Sequence, residues 1–470
     1  MKGINAMELE RIWQRVSRHT GLLVLILCLP TVAFSQDANA PSPLTLQQAL
    51  NIALEKNPQR KAALADTKAA AADVATARSF LLPHITFSES AERGNDPVYV
   101  FGSKLRQQRF TTGDFALNVL NEPDPYENFG TRFGGTWTLF DSFASWHGVT
   151  RAQHMKDAAL RQLERANQEI VFHVVDSYYG VLLAKRRLDV AEESLKTARA
   201  IIGRAKDRYE SGIVVQSDYL SAEVRMATRT QDLIRAQDDL SLAQAQLCTA
   251  MGVPTSNEFD PTEALAEKHL PVPSLDDLEK QAMEKRPDLN QIRSEEAAQQ
   301  QSVSMAKSAF GPRVNAHAGW QADNPTMFAG GGGNSWVTGI EVQFDLFQGG
   351  AKRSKLSHER AIEEKVSAAK EAATDEIQLE VRRAYYDLDV ARRKVDVARA
   401  TIAEANESLR INQVRYDSGL STITDLLAAE EAAHRSQADY WEAVYSYHTG
   451  YANLELTCGT LGPQSPLVKP

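Results

Sequence analysis

Shifted against itself by 229 positions, the sequence brings LQQALNIALEKNPQ, from Leu46, over LDDLEKQAMEKRPD, from Leu275. Pro58 meets Pro287 and Pro83 meets Pro312, with no gap over 38 residues. A shift of 207 aligns a later stretch. Ile170 meets Ile377, Val174 meets Val381, Tyr178-Tyr179 meets Tyr385-Tyr386, YESG at Tyr209 meets YDSG at Tyr416, Asp218 meets Asp425 and Gly252 meets Gly459. Two long ungapped matches point to one supersecondary unit used twice. The 22-residue change of register falls between Pro83 and Leu139, so the first copy carries an insertion there, around DPVYVFGSKLRQQRF. The first repeat is expected over 36–256 and the second over 275–460, followed by a tail at 461–470. Between them, residues 257–274 contain three prolines and read as an irregular connector.

No proline occurs between Pro125 and Pro254, or between Pro325 and Pro463, which permits very long helices. Leu188, Ala191, Leu195, Ala198, Ile202, Ala205 and Tyr209 recur at spacings of 3 and 4. Val395, Ala398, Ile402, Ala405, Leu409, Asn412 and Tyr416 do the same in the second copy. That is coiled-coil periodicity with small residues that admit close approach. A single helix over 150–210 would be about 90 Å long at roughly 1.5 Å per residue. Ser211-Gly212 and Ser418-Gly419 offer C-terminal glycines, and Ser217 and Thr424 are plausible caps of returning helices that run to Gly252 and Gly459. The helical hairpins are expected at about 145–252 and 350–459. On the helices alone, a soluble coiled-coil bundle fits as well.

Before each long helix the period changes to 2. Trp336, Thr338, Ile340, Val342, Phe344 and Leu346 alternate with Val337, Gly339, Glu341, Gln343 and Asp345. Phe129, Thr131, Phe133, Gly135, Trp137 and Leu139 alternate with Gly130, Arg132, Gly134, Thr136 and Thr138. Weaker partners precede them, at Ile85, Phe87 and Ala91 and at Val314, Ala316, Ala318 and Trp320. β-hairpins are therefore expected at about 84–140 and 313–347, one with a long connection and one closed through the Gly330–Gly333 run. One apolar and one polar face suit a strand between lipid and water. Four strands cannot close a barrel, and lipid does not tolerate open edges. Three chains would supply twelve strands, so a homotrimer is expected.

The N-terminus reads as an export signal. Lys2, Arg11, Arg15 and Arg18 precede the apolar run Gly21–Leu29, and Ala33-Phe34-Ser35 offers a cleavage site before Gln36. A signal over 1–35 is expected, with a membrane anchor as the alternative. Leu27 before Cys28 argues against lipidation. Cys248 and Cys458 could form a bridge or be two buried small residues. No other segment reaches the length of a transmembrane helix. A net charge of −9 and the lack of a basic, aromatic-laced patch argue against nucleic acid.

Nothing in the sequence carries catalysis: GxSxG, HExxH and a P-loop are missing, and the glycine run lacks the Lys-Ser/Thr that would serve phosphate. The ten histidines lack metal-ligand spacing, so neither metal nor cofactor is expected. The tyrosine pairs read as packing between helices. A periplasmic adaptor would need one central hairpin flanked by split lipoyl-like and barrel segments, which a doubled strand-helix unit does not supply. A structural coiled-coil protein is the other rival.

Signal, doubled unit, strand hairpins and helix-turn motifs together resemble the TolC-type outer membrane efflux proteins, over roughly Leu44 to Gly459. The resemblance implies a mainly α chain with a membrane β-barrel, a trimer with a twelve-strand barrel and an α-helical periplasmic tunnel. It also implies a passive exit duct fed by an inner-membrane pump through a periplasmic adaptor, as in efflux or type I secretion, closed at the tunnel's tip. By resemblance, Asp425 in YDSGLSTITDLLAAE matches a pore-constricting aspartate, and Tyr416 matches a tyrosine of the closing contacts. Asp218, in YESGIVVQSDYLSAE, matches an aspartate partnered with such contacts, and Tyr209 stands where Tyr416 does in its own copy. The turns are the expected adaptor contacts, through Gly212, Ile213, Gly419 and Leu420. Two departures stand out: a second pore aspartate is Ala428 here, and an arginine often found after the turn glycine is Ser421. Physically, three carboxylates in a narrow pore would attract cations. The competing reading of Asp425 is a helix-start carboxylate favoured by the dipole.

Overall fold

The computed structural model describes residues 42–328 and 331–468. The expected signal, Cys28 and Gly330 lie outside them. The chain opens with β1 (Ser42–Leu44), α1 (Leu46–Lys56) and α2 (Pro58–Ser79). After α2 come β2 (His84–Gly94), α3 (Pro97–Arg106), α4 (Leu117–Asn121) and β3 (Tyr126–Phe140). The long α5 (Ala144–Glu210) then turns into α6 (Gln216–Met251). A second passage follows: β4 (Phe259–Pro261), α7 (Leu275–Lys285), α8 (Pro287–Ser308), β5 (Arg313–Asn324), β6 (Gly333–Gln343), α9 (Ala351–Asp417) and α10 (Ile423–Thr457). The proline-poor windows carry the long helices: α5 and α9 are each 67 residues, about 100 Å at 1.5 Å per residue. The segment 257–274 is less irregular than its prolines suggest, because β4 pairs in parallel with β1.

The four long strands form one antiparallel sheet in the order β2-β3-β5-β6. Its register lines up Phe87, Phe133, Trp320 and Trp336 across all four strands, with Phe87–Phe133 and Phe133–Trp320 ring centroids 5.1 and 5.9 Å apart. Ile85, Trp137, Ile340 and Val342 extend this face, and all are exposed. Ser88, Arg132, Gln321 and Ser335 form a polar row on the other face. In the single chain β2 and β6 are unpaired edges.

The main core lies where α1 and α7 pack into the middle of the bundle. There Leu46, Leu50, Val174, Tyr178, Leu182, Leu247, Val381, Val444 and Leu454 are all buried. The coiled-coil stripe needs correction. Val190, Ser194 and Ile201 are the buried neighbours of Ala191, Leu195, Ala198 and Ala205, while Leu188 and Ile202 are half-buried and Tyr209 is exposed. Over this stretch α5 packs against α6, α9 and α10 at once, so its buried face is broader than one seam. The tyrosine pairs also differ: Tyr178 and Tyr179 are buried, whereas Tyr386 is exposed in the single chain. Cys248 and Cys458 are free and buried, not bridged.

Each returning helix ends against the start of a shorter one, and the two together cover most of the long helix beside them. Gly252, φ +71°, abuts Asn57, whose side chain caps α2 through Gln59 N at 2.8 Å and donates to Ala250 O at 2.9 Å. Gly459, φ +69°, abuts Arg286 in the same way. A Cβ at Gly252 would stand 2.6 Å from Asn57 Cα, and one at Gly459 2.8 Å from Arg286 Cα. Left-handed backbone and a backbone clash coincide. Gly252→Ala is therefore expected to lower stability by about 2–4 kcal/mol, read as a lower unfolding midpoint of the detergent-solubilised protein. An unchanged midpoint would show that the junction relaxes freely.

Candidate functional site

About 100 Å from the sheet, by helix length, the long helices turn back on themselves. Both turns close identically. Gly212 N–H donates to Tyr209 O at 2.9 Å and Ile213 N–H to Arg208 O at 2.8 Å. Gly419 N–H donates to Tyr416 O at 3.0 Å and Leu420 N–H to Arg415 O at 2.8 Å. This is the Schellman arrangement, with the left-handed residue supplied by Gly212 (φ +70°) and Gly419 (φ +74°). It leaves Ile213 and Leu420 exposed at the tips.

The helix starts lie earlier than Ser217 and Thr424. Val215 precedes α6 without a side-chain cap. Thr422 caps α10, accepting from Asp425 N at 3.2 Å while Asp425 Oδ2 accepts from Thr422 N at 3.1 Å and from Thr422 Oγ1 at 2.7 Å. The threonine-to-aspartate spacing of three is a capping box, which Thr424 cannot form. Ser421 Oγ donates to the same oxygen at 3.2 Å. Asp425 is thus exposed but held. Hydrogen bonds from the Thr422 side chain first, then the Thr422 backbone and Ser421, keep its carboxyl below the usual range. The helix-start role of Asp425 is met within one chain, and its other oxygen remains free to face solvent.

The equivalent tyrosines do different work. Tyr416 is 2% exposed, packed with Ile201, Ala205, Ala222, Ile423 and Leu426. Tyr209 is 38% exposed and stacks on Tyr219 at 5.9 Å. Arg208 explains the difference. Its guanidinium lies 5.0 Å from the Tyr416 ring centroid, and Nη1 donates to Tyr416 O at 2.7 Å and Asp417 O at 3.0 Å. Arg204 Nη1 stands 3.6 Å from Asp417 Oδ2. A cation from the first copy therefore seals the carbonyl end of α9, where the helix dipole favours it. Asp218 is half-buried near Tyr416 and makes no hydrogen bond to it. The hydroxyl's pKa is raised, chiefly by burial, with Asp218's charge adding to the rise.

Sequence reading missed Arg208, although RYESG and RYDSG repeat the arginine as well as the tyrosine. In the second copy Arg415 folds back toward Leu420 O of its own turn. A second missed group ties the copies together further up. Arg229 is 3% exposed and Glu430 2%. Arg229 Nε and Nη2 donate to the two Glu430 oxygens at 3.0 and 2.9 Å, Nη2 also reaches Glu431 at 2.7 Å, and Ser194 Oγ donates to Glu430 at 3.0 Å. Burial works against the Arg229 charge, but the carboxylates of Glu430, Glu431 and Asp232 outweigh it, so its pKa is raised.

Among the described residues no group of histidine, cysteine and carboxylate side chains could hold a metal, and no helix is long and apolar enough to cross a membrane. The family model for outer membrane efflux proteins matches residues 49–253 and 278–460. Protein CyaE of Bordetella pertussis is 25% identical over 87% of this chain and 81% of its own length. The alkaline protease secretion protein AprF of Pseudomonas aeruginosa is 24% identical, over 89% and 85%. Among solved structures, the Campylobacter jejuni CmeC outer membrane channel superposes with a TM-score of 0.76 at 16% identity, covering 90% of this chain and 87% of that one. The outer-membrane channel OprN does so at 0.75 and 19%, covering 89% and 90%.

Proposed function

From the premise that the chain belongs to the outer membrane efflux protein family, we propose that three copies assemble into a duct closed at its helical tip. It is an outer-membrane exit duct, of a family of channels rather than enzymes. One observation carries the trimeric barrel: a four-stranded sheet with two open edges, an exposed aromatic face and a polar face. Twelve strands from three chains would leave no edge in lipid. The exposed aromatic face would then meet lipid and the polar row would line water. The paired helices beneath would continue the wall as a periplasmic tunnel.

The tip is the proposed gate. Tyr416, held by Arg208, keeps the second-copy hairpin against the first, with Asp218 beside it and Tyr209 on the outside. Gly212, Ile213, Gly419 and Leu420 are the surface offered to a periplasmic adaptor, which would couple the duct to an inner-membrane pump for efflux or type I secretion. Three Asp425 carboxylates would ring the opening.

Asp425→Ala is expected to raise single-channel conductance in planar bilayers and to weaken block by divalent cations. Asp425→Asn should do the same while keeping an acceptor for Thr422. Because the carboxyl sits below its usual range, block should persist through mildly acidic pH and fade only as pH drops through that lowered pKa. Unchanged conductance in both variants would remove Asp425 from the gate. Outer-membrane fractions without a heat-modifiable trimer would remove the barrel.

A further inference from the structure

The insertion that distinguishes the first copy is a folded body lying on one face of the sheet. Between β2 and β3, the Phe101, Phe110 and Phe115 rings pack edge to face at 4.7 and 5.1 Å. Lys104 Nζ pairs with Asp114 Oδ1 at 2.7 Å across the same body. Its anchor is Gln107, 0% exposed. Gln107 Nε2 lies 2.9 Å from both Glu127 O and Asn128 Oδ1 and 3.2 Å from Asn324 O, and its Oε1 accepts from Tyr126 OH at 2.8 Å. Asn128 Nδ2 in turn donates to Asp323 Oδ1 at 2.7 Å, and Gln321 Nε2 to Asp323 Oδ2 at 2.5 Å.

The alternation of the strands fixes which face this is. Asn128 and Asp323 project on the same side as Ser90, Arg132 and Gln321, the polar side. An independent observation agrees. Gly333 also belongs to the polar side, and a Cβ there would stand 2.2 Å from Arg106 O and 2.9 Å from Gln108 Cγ. Only a residue without a side chain admits the backbone of the insertion at that point. The insertion thus turns in over the polar face at the strand ends away from the long helices, tied by buried side chains and seated on a glycine.

We propose that this insertion is a fixed lid, three of which narrow the outer mouth of the pore and set the size of molecule that can pass it. The proposal rests on the reading that three sheets close a barrel with the polar face inward. Ser88 lies on that face, deeper than the Gln107 anchor, while Ala318 lies on the apolar face; both are exposed in the single chain. Cys248 and Cys458 are buried and leave an introduced thiol distinguishable.

The test labels Ser88→Cys from outside intact cells with polyethylene-glycol maleimides of increasing size. It compares the full chain with one whose residues 97–121 are replaced by a short Gly-Ser linker. Small maleimides should label both, and large ones should label the full chain about tenfold more slowly than the linker variant. Ala318→Cys should resist every hydrophilic maleimide in both. Equal large-reagent rates with and without the insertion, with Ala318→Cys still protected, would overturn the lid and leave the barrel standing. Labelling of Ala318→Cys with protection of Ser88→Cys would instead sink the barrel reading. If the linker variant does not reach the membrane, Gln107→Ala carries the comparison, since it unties the insertion without removing it. No gain in large-reagent labelling there overturns the lid.

Discussion

Arg229→Ala is expected to cost about 3–5 kcal/mol of stability, the range seen when one partner of a buried ion pair is removed. The substitution leaves Glu430 buried with only Ser194 Oγ and the more distant Arg225 beside it. Arg229 joins α6 of the first copy to α10 of the second, so the loss should be local to the half of the bundle nearest the turns. Hydrogen exchange should rise in 216–235 and 423–437 before it rises in the main core. Arg229→Lys should recover little, because a lysine cannot bond both Glu430 oxygens and Glu431 in one plane. Arg229→Met combined with Glu430→Met should recover most of the loss, since a matched apolar pair leaves no stranded charge. A single-substitution cost below about 1 kcal/mol would mean that water already reaches the pair.

Arg208→Ala should open the tip. It removes two charge-assisted hydrogen bonds to the last carbonyls of α9 and a guanidinium stacked on Tyr416. Such bonds are worth about 1.5–3 kcal/mol each when buried and less where, as here, the arginine is partly exposed. About 2 kcal/mol per chain would shift closed against open roughly thirtyfold for each chain that opens. The readouts are open probability in planar bilayers and entry of large hydrophilic antibiotics into cells. Tyr416→Phe is the matched control. The Tyr416 hydroxyl is buried without a hydrogen-bond partner, so its loss should leave closure unchanged or slightly firmer. If Tyr416→Phe opened the channel and Arg208→Ala did not, the ring and the guanidinium would not be the closing contact.

Much of this frame was readable from residues. The proline-free windows predicted helices from about 150 to 210, and α5 starts at Ala144. The alternation over Phe129–Trp137 and Trp336–Val342 assigned faces that the register upholds, whereas Leu139 falls at a bulge and Phe140 pairs with Val314 in its stead. The turn glycines were legible because a left-handed C-terminal residue has few solutions. The helical tip was only half legible. RYESG and RYDSG look equivalent, yet one tyrosine is buried and the other stacked outside, because Arg208 crosses between copies and Arg415 does not. Arg229 left no trace in the repeat, since its counterpart is Ser436. Thr424 looks as good a cap as Thr422 by residue type, and only the spacing to Asp425 separates them. The insertion's anchor was invisible because Gln107 meets strands far from it in sequence.

The equal length of α5 and α9 has a consequence for how such a chain can change. Both run 67 residues from sheet to turn, so the two turns finish level. Deleting one heptad from α5 alone would leave its turn about 10 Å short. Arg208 would then sit two turns of helix away from the carbonyls it seals. The two helices are paired rulers, and a shorter or longer duct requires editing both by the same whole number of turns, with matching changes in the helices packed beside them.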